Sequence, residues 1–166
     1  YKEPISQRAL KLSITLEGEK TLFFPEAMLH DVLDNLISNA IKYNRDGGGI
    51  DVWVSNQANE LRLRVADTGI GIPEKDIHNI FDRFYQVEKS KNHDYPGTGI
   101  GLSLALELAR LMHGNIDVIS APNYGSTFTV TLPLGKIHLK ENEFVILEDY
   151  PQSVKKEFLS PLEQAN

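Results

Sequence analysis

Residues 35 to 44 read NLISNAIKYN, and within them Asn35, Asn39 and Lys42 follow one another at spacings of four and three. On a helix that spacing puts all three on one face. Tyr43 comes four residues after Asn39 and can flank the same face. A carboxamide is costly to bury without partners, so two amides in a mostly apolar segment need a purpose. An amide oxygen is a neutral hard ligand, of which Mg²⁺ takes one or two before filling its shell with water and phosphate oxygens. Lysine supplies a compact positive charge for phosphate. The same asparagines could instead cap or bridge neighbouring backbone. Taken alone, the segment leaves those readings even.

Two further stretches carry possible chemistry. DTGIGIP, residues 67 to 73, follows an apolar strand pattern directly. An ionised Asp67 accepts hydrogen bonds from a base amino group, and Gly69 and Gly71 permit a close backbone approach that a β-carbon would block. A plain tight turn is the alternative. PGTGIGLSLALEL, residues 96 to 108, runs from a glycine loop into a helix. Its backbone N–H groups and the helix start can receive phosphate. It is neither the GxxxxGK[ST] loop nor a strand-borne GxGxxG dinucleotide fingerprint. A glycine-capped helix start is the alternative here.

The elements that must position these residues can be read from periodicity. Residues 10 to 16, LKLSITL, alternate like a half-buried strand. Pro25 suits the first turn of a helix running to about Asn44. Its apolar positions Leu29, Val32, Leu33, Leu36, Ile37, Ala40 and Ile41 form one buried stripe. RDGGG stops it. IDVWVSN and ELRLRVAD form a hairpin about QAN. A short helix is expected from Glu74 to Phe81, then a polar run, QVEKSKNHDYPGTG. IGLSLALELARLMHG reads as a helix capped by Gly114, and NIDVIS with GSTFTVTLPL as a last hairpin ending at Pro133. This order predicts an α/β two-layer sandwich, a mixed, mostly antiparallel sheet with helices on one face. Residues 1–135 are expected to be the domain; the charged, proline-interrupted stretch 136–166 reads as a linker or extension.

Composition narrows the class. The 166 residues are 41% hydrophobic and 24% charged, as in ordinary globular proteins. A net charge of -6 argues against a nucleic-acid partner. There is no cysteine, hence no disulfide, thiol nucleophile or thiolate metal site. No apolar stretch approaches the roughly 18 residues a membrane helix needs, so direct membrane contact is not expected.

Together the three stretches are more specific than any one. An asparagine helix, an Asp-glycine loop and a second glycine loop in this order resemble the GHKL nucleotide-binding family, which includes DNA gyrase and the sensor histidine kinases. Residues 35–43 resemble its N box, 67–73 its G1 box and 97–102 its G2 box, while FDRFYQV, 81–87, resembles the F box and GSTFTVTLP, 125–133, the last glycine box. The resemblance covers roughly residues 10 to 134. It implies a Bergerat-type fold and an Mg-ATP site. Asn39 would bind Mg²⁺, with Asn35 and Lys42 near the phosphates as the catalytic pair. Tyr43 would stack on adenine, and Asp67 would accept from its amino group, helped through water by Thr127. Gly69, Gly71 and Ile72 would border the nucleotide. Gly97, Thr98, Gly99, Gly101 and Leu102 would face the phosphates. Residues 88–96 would be a lid rooted on Phe81 and Phe84. Many members carry Arg or Lys where Gln86 stands, so Lys89 or Lys91 is expected to make the γ-phosphate contact instead.

The hydrolysing branch of the family carries a glutamate four residues before the metal-binding asparagine, as general base for water. Here that position is Asn35, and a neutral amide takes no proton usefully at pH 7. Phosphoryl transfer is mostly positioning and electrostatics, so a site without the base can still donate phosphate to a nucleophile brought from outside. The resemblance therefore implies a histidine kinase. None of His30, His78, His93, His113 and His138 sits in an acceptor-like context. The chain opens on Tyr1 rather than Met, so the accepting histidine is expected on a dimerising helical hairpin preceding it in a longer, homodimeric parent. That parent would be a membrane-anchored sensor with this domain in the cytoplasm, passing phosphate to a response-regulator receiver. FVILEDYP faintly resembles the first strand of such a receiver, but only 16 residues follow Tyr150. Two rivals are a regulatory ATP-sensing module that transfers nothing and a serine kinase of the anti-sigma-factor type.

Overall fold

The computed structural model describes residues 1–18, 26–57, 59–87 and 98–134, all within one unit, Tyr1–Leu134. Alternation fixes the sheet. In the strand Glu60–Asp67 (β3), Leu61, Leu63 and Val65 are buried while Arg62 and Arg64 are exposed. In Gly125–Pro133 (β5), Ser126, Phe128, Val130 and Leu132 point inward and the threonines between them do not. With Lys11–Glu17 (β1), Gly49–Gln57 (β2) and Asn115–Ala121 (β4), these form a five-stranded sheet in the order β1-β2-β3-β5-β4. β1 runs parallel to β2 and every other pair is antiparallel. A parallel pair needs a crossover, which the helix Glu26–Lys42 (α2) supplies.

The helices α2 and Gly101–Leu111 (α3) cover one face. Val32, Leu36, Ala40 and Ile41 of α2 meet Ala105 and Ala109 of α3 and the inward row of the sheet in one apolar core. Leu36 is wholly buried, and truncating such a leucine to alanine costs about 2–5 kcal/mol. The other face is polar, with the Arg64 guanidinium 5.3 Å from the centre of the Trp53 ring. The two-layer sandwich with a mixed, mostly antiparallel sheet is thus the observed architecture.

Three expectations change. A six-residue helix, Lys2–Gln7 (α1), opens the chain where none is signalled. The helix expected over Glu74 to Phe81 is a single 3₁₀ turn, Glu74–Asp76, followed by tight turns. There the backbone bonds close mostly over three residues (Ile77 to Glu74, Asn79 to Asp76, Asp82 to Asn79), and the buried Asp76 carboxylate is held from outside by the Tyr85 hydroxyl at 2.7 Å. At the end of α3 the left-handed residue is His113 (φ 60), not Gly114. The His113 N–H reaches Arg110 O and the Gly114 N–H reaches Ala109 O, at 2.9 and 2.8 Å, the Schellman pairing. Gly114 is needed for space instead: a β-carbon there would lie 2.2 Å from the Thr131 carbonyl.

Candidate nucleotide site

α2 ends without a left-handed glycine, so its last carbonyls need other donors. The Arg8 guanidinium supplies them: it donates to Ile41 O, to Lys42 O at 3.3 Å and to Asn44 O at 2.6 Å, and its Nε pairs with Asp46 at 2.9 Å. The buried Asn44 side chain then joins this end to the sheet. Its Nδ2 donates to Gly49 O at 3.0 Å, while its Oδ1 accepts from the Arg45 N–H at 2.9 Å and the Thr68 hydroxyl at 3.3 Å. The end of the asparagine helix is therefore fixed before any ligand is considered.

The loop after β3 is tied on both sides. The Ile70 N–H donates to Tyr43 O at 3.0 Å, the Asn123 N–H to Ile70 O at 2.7 Å, and the Ile72 N–H to Ser120 Oγ at 2.8 Å. Gly71 has φ 67, and a β-carbon on it would lie 1.9 Å from Ala121 O, so no other residue fits without moving β4. The Gly69 N–H donates to Asp67 Oδ1 at 2.8 Å, and the Ser126 N–H also reaches that carboxylate. Burial raises the Asp67 pKa above its ordinary value, and the two backbone donors oppose the shift. Desolvation wins over hydrogen bonding at this carboxyl.

Between these elements lies a cavity of about 490 Å³, lined among others by Asn39, Tyr43, Asp67, Ile70, Gly71, Ile72, Tyr85, Val87, Leu102, Ser126 and Phe128. That volume falls in the range of small-molecule sites, and the mix of apolar walls with few polar groups is the usual composition. Asn39 shares the cavity with Asp67, and no other described residue hydrogen-bonds its carboxamide.

The expected site residues divide. Asn39, Tyr43, Asp67, Gly71, Ile72 and Leu102 line the cavity; Asn35, Lys42, Gly69, Thr98, Gly99, Gly101 and Thr127 do not. Asn35 Nδ2 donates to Asp31 O at 2.8 Å, the backbone-bridging alternative, and a β-carbon on Gly101 would sit 2.6 Å from its Oδ1. It therefore works at the α2–α3 junction. The Lys42 ammonium lies 4.9 Å from the centre of the Tyr43 ring. Gly69 acts through its N–H on Asp67. Gly99 O accepts from the Phe84 N–H at 2.8 Å. Lys89, Lys91 and Gly97, like the lid expected at 88–96 and the stretch 136–166, lie outside the described residues.

Thr127 is a correction. It pairs with Ala66 in the ladder while Ser126 pairs with Asp67, and successive strand residues face opposite sides. Ser126 is the hydroxyl on the cavity side. The signal was present in GSTFTVTLP: Phe128, Val130 and Leu132 define the inward row, and Ser126 shares their parity. The two phenylalanines expected at the root of the lid are placed differently. Phe81 packs edge-on against Phe128, with ring centres 6.5 Å apart, but the Phe84 side chain is 72% exposed and contributes through its backbone. The apolar walls from Tyr85, Val87 and Phe128 were not singled out from sequence.

A family model described as "Histidine kinase-, DNA gyrase B-, and HSP90-like ATPase" matches residues 25–136. The chain belongs to this family. It is an ATP-binding domain of the ATPase type. Among curated relatives, sensor histidine kinase WalK of Bacillus subtilis is 44% identical over 104 residues, 61% of this chain and 17% of that protein. Sensor histidine kinase RcsC of Escherichia coli is 44% identical over 106 residues, 64% and 11%. BaeS of E. coli, a signal transduction histidine-protein kinase, is 31% identical over 134 residues, 81% and 29%. The chain thus spans less than a third of the length of each of these relatives. In fold it is similar to the nucleotide-free catalytic domain of histidine kinase ThkA, with a TM-score of 0.69 at 24% identity over 80% of this chain and 84% of that one. It is likewise similar to full-length ShkA in complex with AMPPNP, with a TM-score of 0.71 at 24% identity over 80% and 27%.

Proposed function

We propose that this chain is the ATP-binding catalytic domain of a two-component sensor histidine kinase, holding ATP for transfer of its γ-phosphoryl group to a histidine on a separate dimerisation domain. One observation carries the reading. A carboxylate backed by two N–H donors faces the same cavity as an asparagine whose carboxamide no described residue hydrogen-bonds. The first suits a purine amino group and the second a metal-bound triphosphate. Transfer rather than hydrolysis is supported at Asn35, where the hydrolysing relatives place a general base. Its amide nitrogen donates to Asp31 O, and a carboxamide takes no proton usefully from water at pH 7.

The donor set fits Mg²⁺. Among the described residues there is no cluster of three His, Asp or Glu side chains that could cage an ion, and Mg²⁺ in kinase sites keeps waters and phosphate oxygens around one or two protein oxygens. Asn39 is the residue that would hold it, and it would supply charge neutralisation at the phosphates. The chain's own contributions are then separable. Asp67 orients the base, Tyr43 offers it an aromatic face, and α3 brings its N-terminal N–H groups toward the phosphates. We assign Lys42 a supporting role at the phosphate end, acting from beside Tyr43.

In this reading residues 1–135 are the catalytic domain and 136–166 a linker or extension. The parent is a homodimer and a membrane-anchored sensor with this domain on the cytoplasmic side. Its product phosphohistidine passes phosphate to a response-regulator receiver. Among the described residues no helix is long and apolar enough to cross a membrane.

The test is incubation with γ-labelled ATP, with and without an added histidine-bearing helical hairpin from one of the relatives. Label is expected on the hairpin alone. Label on the isolated chain, or phosphate release to water at a comparable rate, would overturn the proposal.

A further inference from the structure

Ser120 and Ser126 place their hydroxyl oxygens 3.0 Å apart behind the Asp67 wall of the cavity. Ser120 Oγ is also 2.8 Å from the Gly125 carbonyl oxygen and 2.8 Å from the Ile72 amide nitrogen. A carbonyl only accepts, an amide N–H only donates, and a serine hydroxyl has one proton and two lone pairs. The single Ser120 proton therefore goes to Gly125 O. One lone pair receives the Ile72 N–H, and the remaining contact requires Ser126 to be the donor. The Ser126 proton is thus used sideways, inside the wall, and what its oxygen turns to the cavity is lone pair.

Asp67 and Ser126 are cross-strand partners in the β3–β5 ladder, and both line the cavity. The carboxylate, once ionised, is an acceptor only. With the Ser126 proton held elsewhere, the pair forms a wall of acceptors.

We propose that Ser120 sets base specificity: by holding the Ser126 proton it keeps the purine-facing wall free of donors, so that the site takes a base edge bearing an amino group and rejects one bearing an oxo group. Ser120 is a positioning residue; it acts through Ser126 and touches no ligand itself. The inference rests on the nucleotide reading above and adds the discriminating contact. Without the Ser120 acceptor, the Ser126 hydroxyl is free to rotate and donate into the cavity, and an oxo base then finds a partner. Leaving a buried acceptor facing an acceptor costs far more than losing one bond, which is why the proton's direction rather than its presence decides.

The experiment is calorimetric titration of the 166-residue chain with ATP and with ITP, which carries an oxo group where ATP carries the amino group. The unsubstituted chain is expected to prefer ATP. Ser120→Ala should narrow the ATP-to-ITP affinity ratio by roughly three- to tenfold, with Ser120→Thr keeping the hydroxyl and the original ratio. In a Ser126→Ala background, Ser120→Ala should change the ratio no further, because there is no proton left to redirect. Should Ser120→Ala not fold, Ser120→Cys, a weak donor and acceptor of similar size, carries the same comparison. Parallel weakening of both nucleotides at an unchanged ratio would reduce Ser120 to a structural tie and overturn the proposal. So would a ratio shift that persists without Ser126. A chain that bound neither nucleotide before substitution would instead overturn the nucleotide reading on which this one rests.

Discussion

The two ends of the candidate site are built differently. At the Asp67 end the polar groups are tied inside the protein: Gly69 and Ser126 N–H on the carboxylate, Tyr43 O on the Ile70 N–H, Ser120 Oγ on the Ile72 N–H. At the Asn39 end, among the described residues, the carboxamide has no hydrogen bond and the Lys42 ammonium meets an aromatic face. The first end is a mould set before the base arrives. The second is a group of unspent donors and acceptors that a metal-bound phosphate would complete. Affinity for the base should therefore respond to single atoms, whereas affinity for the phosphates should depend on what the ligand brings with it.

The strongest way to break that contrast is at Asp67. Asp67→Asn should weaken ATP binding about 10- to 100-fold, the equivalent of losing a charge-assisted bond of roughly 1.5–3 kcal/mol, as read by calorimetry. The empty variant should be no less heat-stable than the original, because the buried carboxylate it removes is not comfortable there. The pH dependence follows with its sign fixed. The Asp67 pKa is raised in the folded chain, so the stability this group contributes is complete below the unfolded value of about 3.9. It is lost as pH rises through the folded value. ATP binding should run the other way, falling as acidification neutralises the acceptor. Affinity that stayed flat through that window, or that fell equally in Asp67→Asn, would remove the carboxylate from the base contact.

Arg8→Ala probes whether the mould depends on the helix end behind it. Three carbonyls would lose their donor, and a loss of about 1–3 kcal/mol in folding stability by denaturant titration is expected, with ATP affinity falling in step. Asn39→Ala tests the opposite end: roughly a five- to tenfold loss in the presence of Mg²⁺ and almost none without it, in keeping with one neutral ligand among several. Equal losses in both conditions would make Asn39 a wall rather than a ligand. The smallest effect should come from Thr127→Ala, within about 0.5 kcal/mol for both stability and binding, as for an outward strand position.

Sequence alone resolved the elements whose hydrophobic period was long and regular. β3, β5, α2 and α3 lie where the alternation and the stripe placed them, and Asp67 and Asn39 share a cavity as the motif order implied. It failed where one contact from a distant segment decides the local geometry. Nothing in EKDIHNIF signals that Tyr85 will hold Asp76 and leave only a 3₁₀ turn. Nothing in SQRAL signals that Arg8 will close a helix 33 residues away. Thr127 differs in kind: the strand's parity marks Ser126 as the inward hydroxyl, while the family motif points to the threonine beside it. Asn35 shows the reverse, since its backbone-bridging alternative was visible from type and position and is what the structure contains.

The Arg8 clamp carries one more implication. The platform that presents Tyr43 is held at its root by Arg8, so the floor of this site depends on residues 1–10. A displacement of residues 1–10 would slacken the grip on Ile41, Lys42 and Asn44 and so reach the aromatic ring through the helix end.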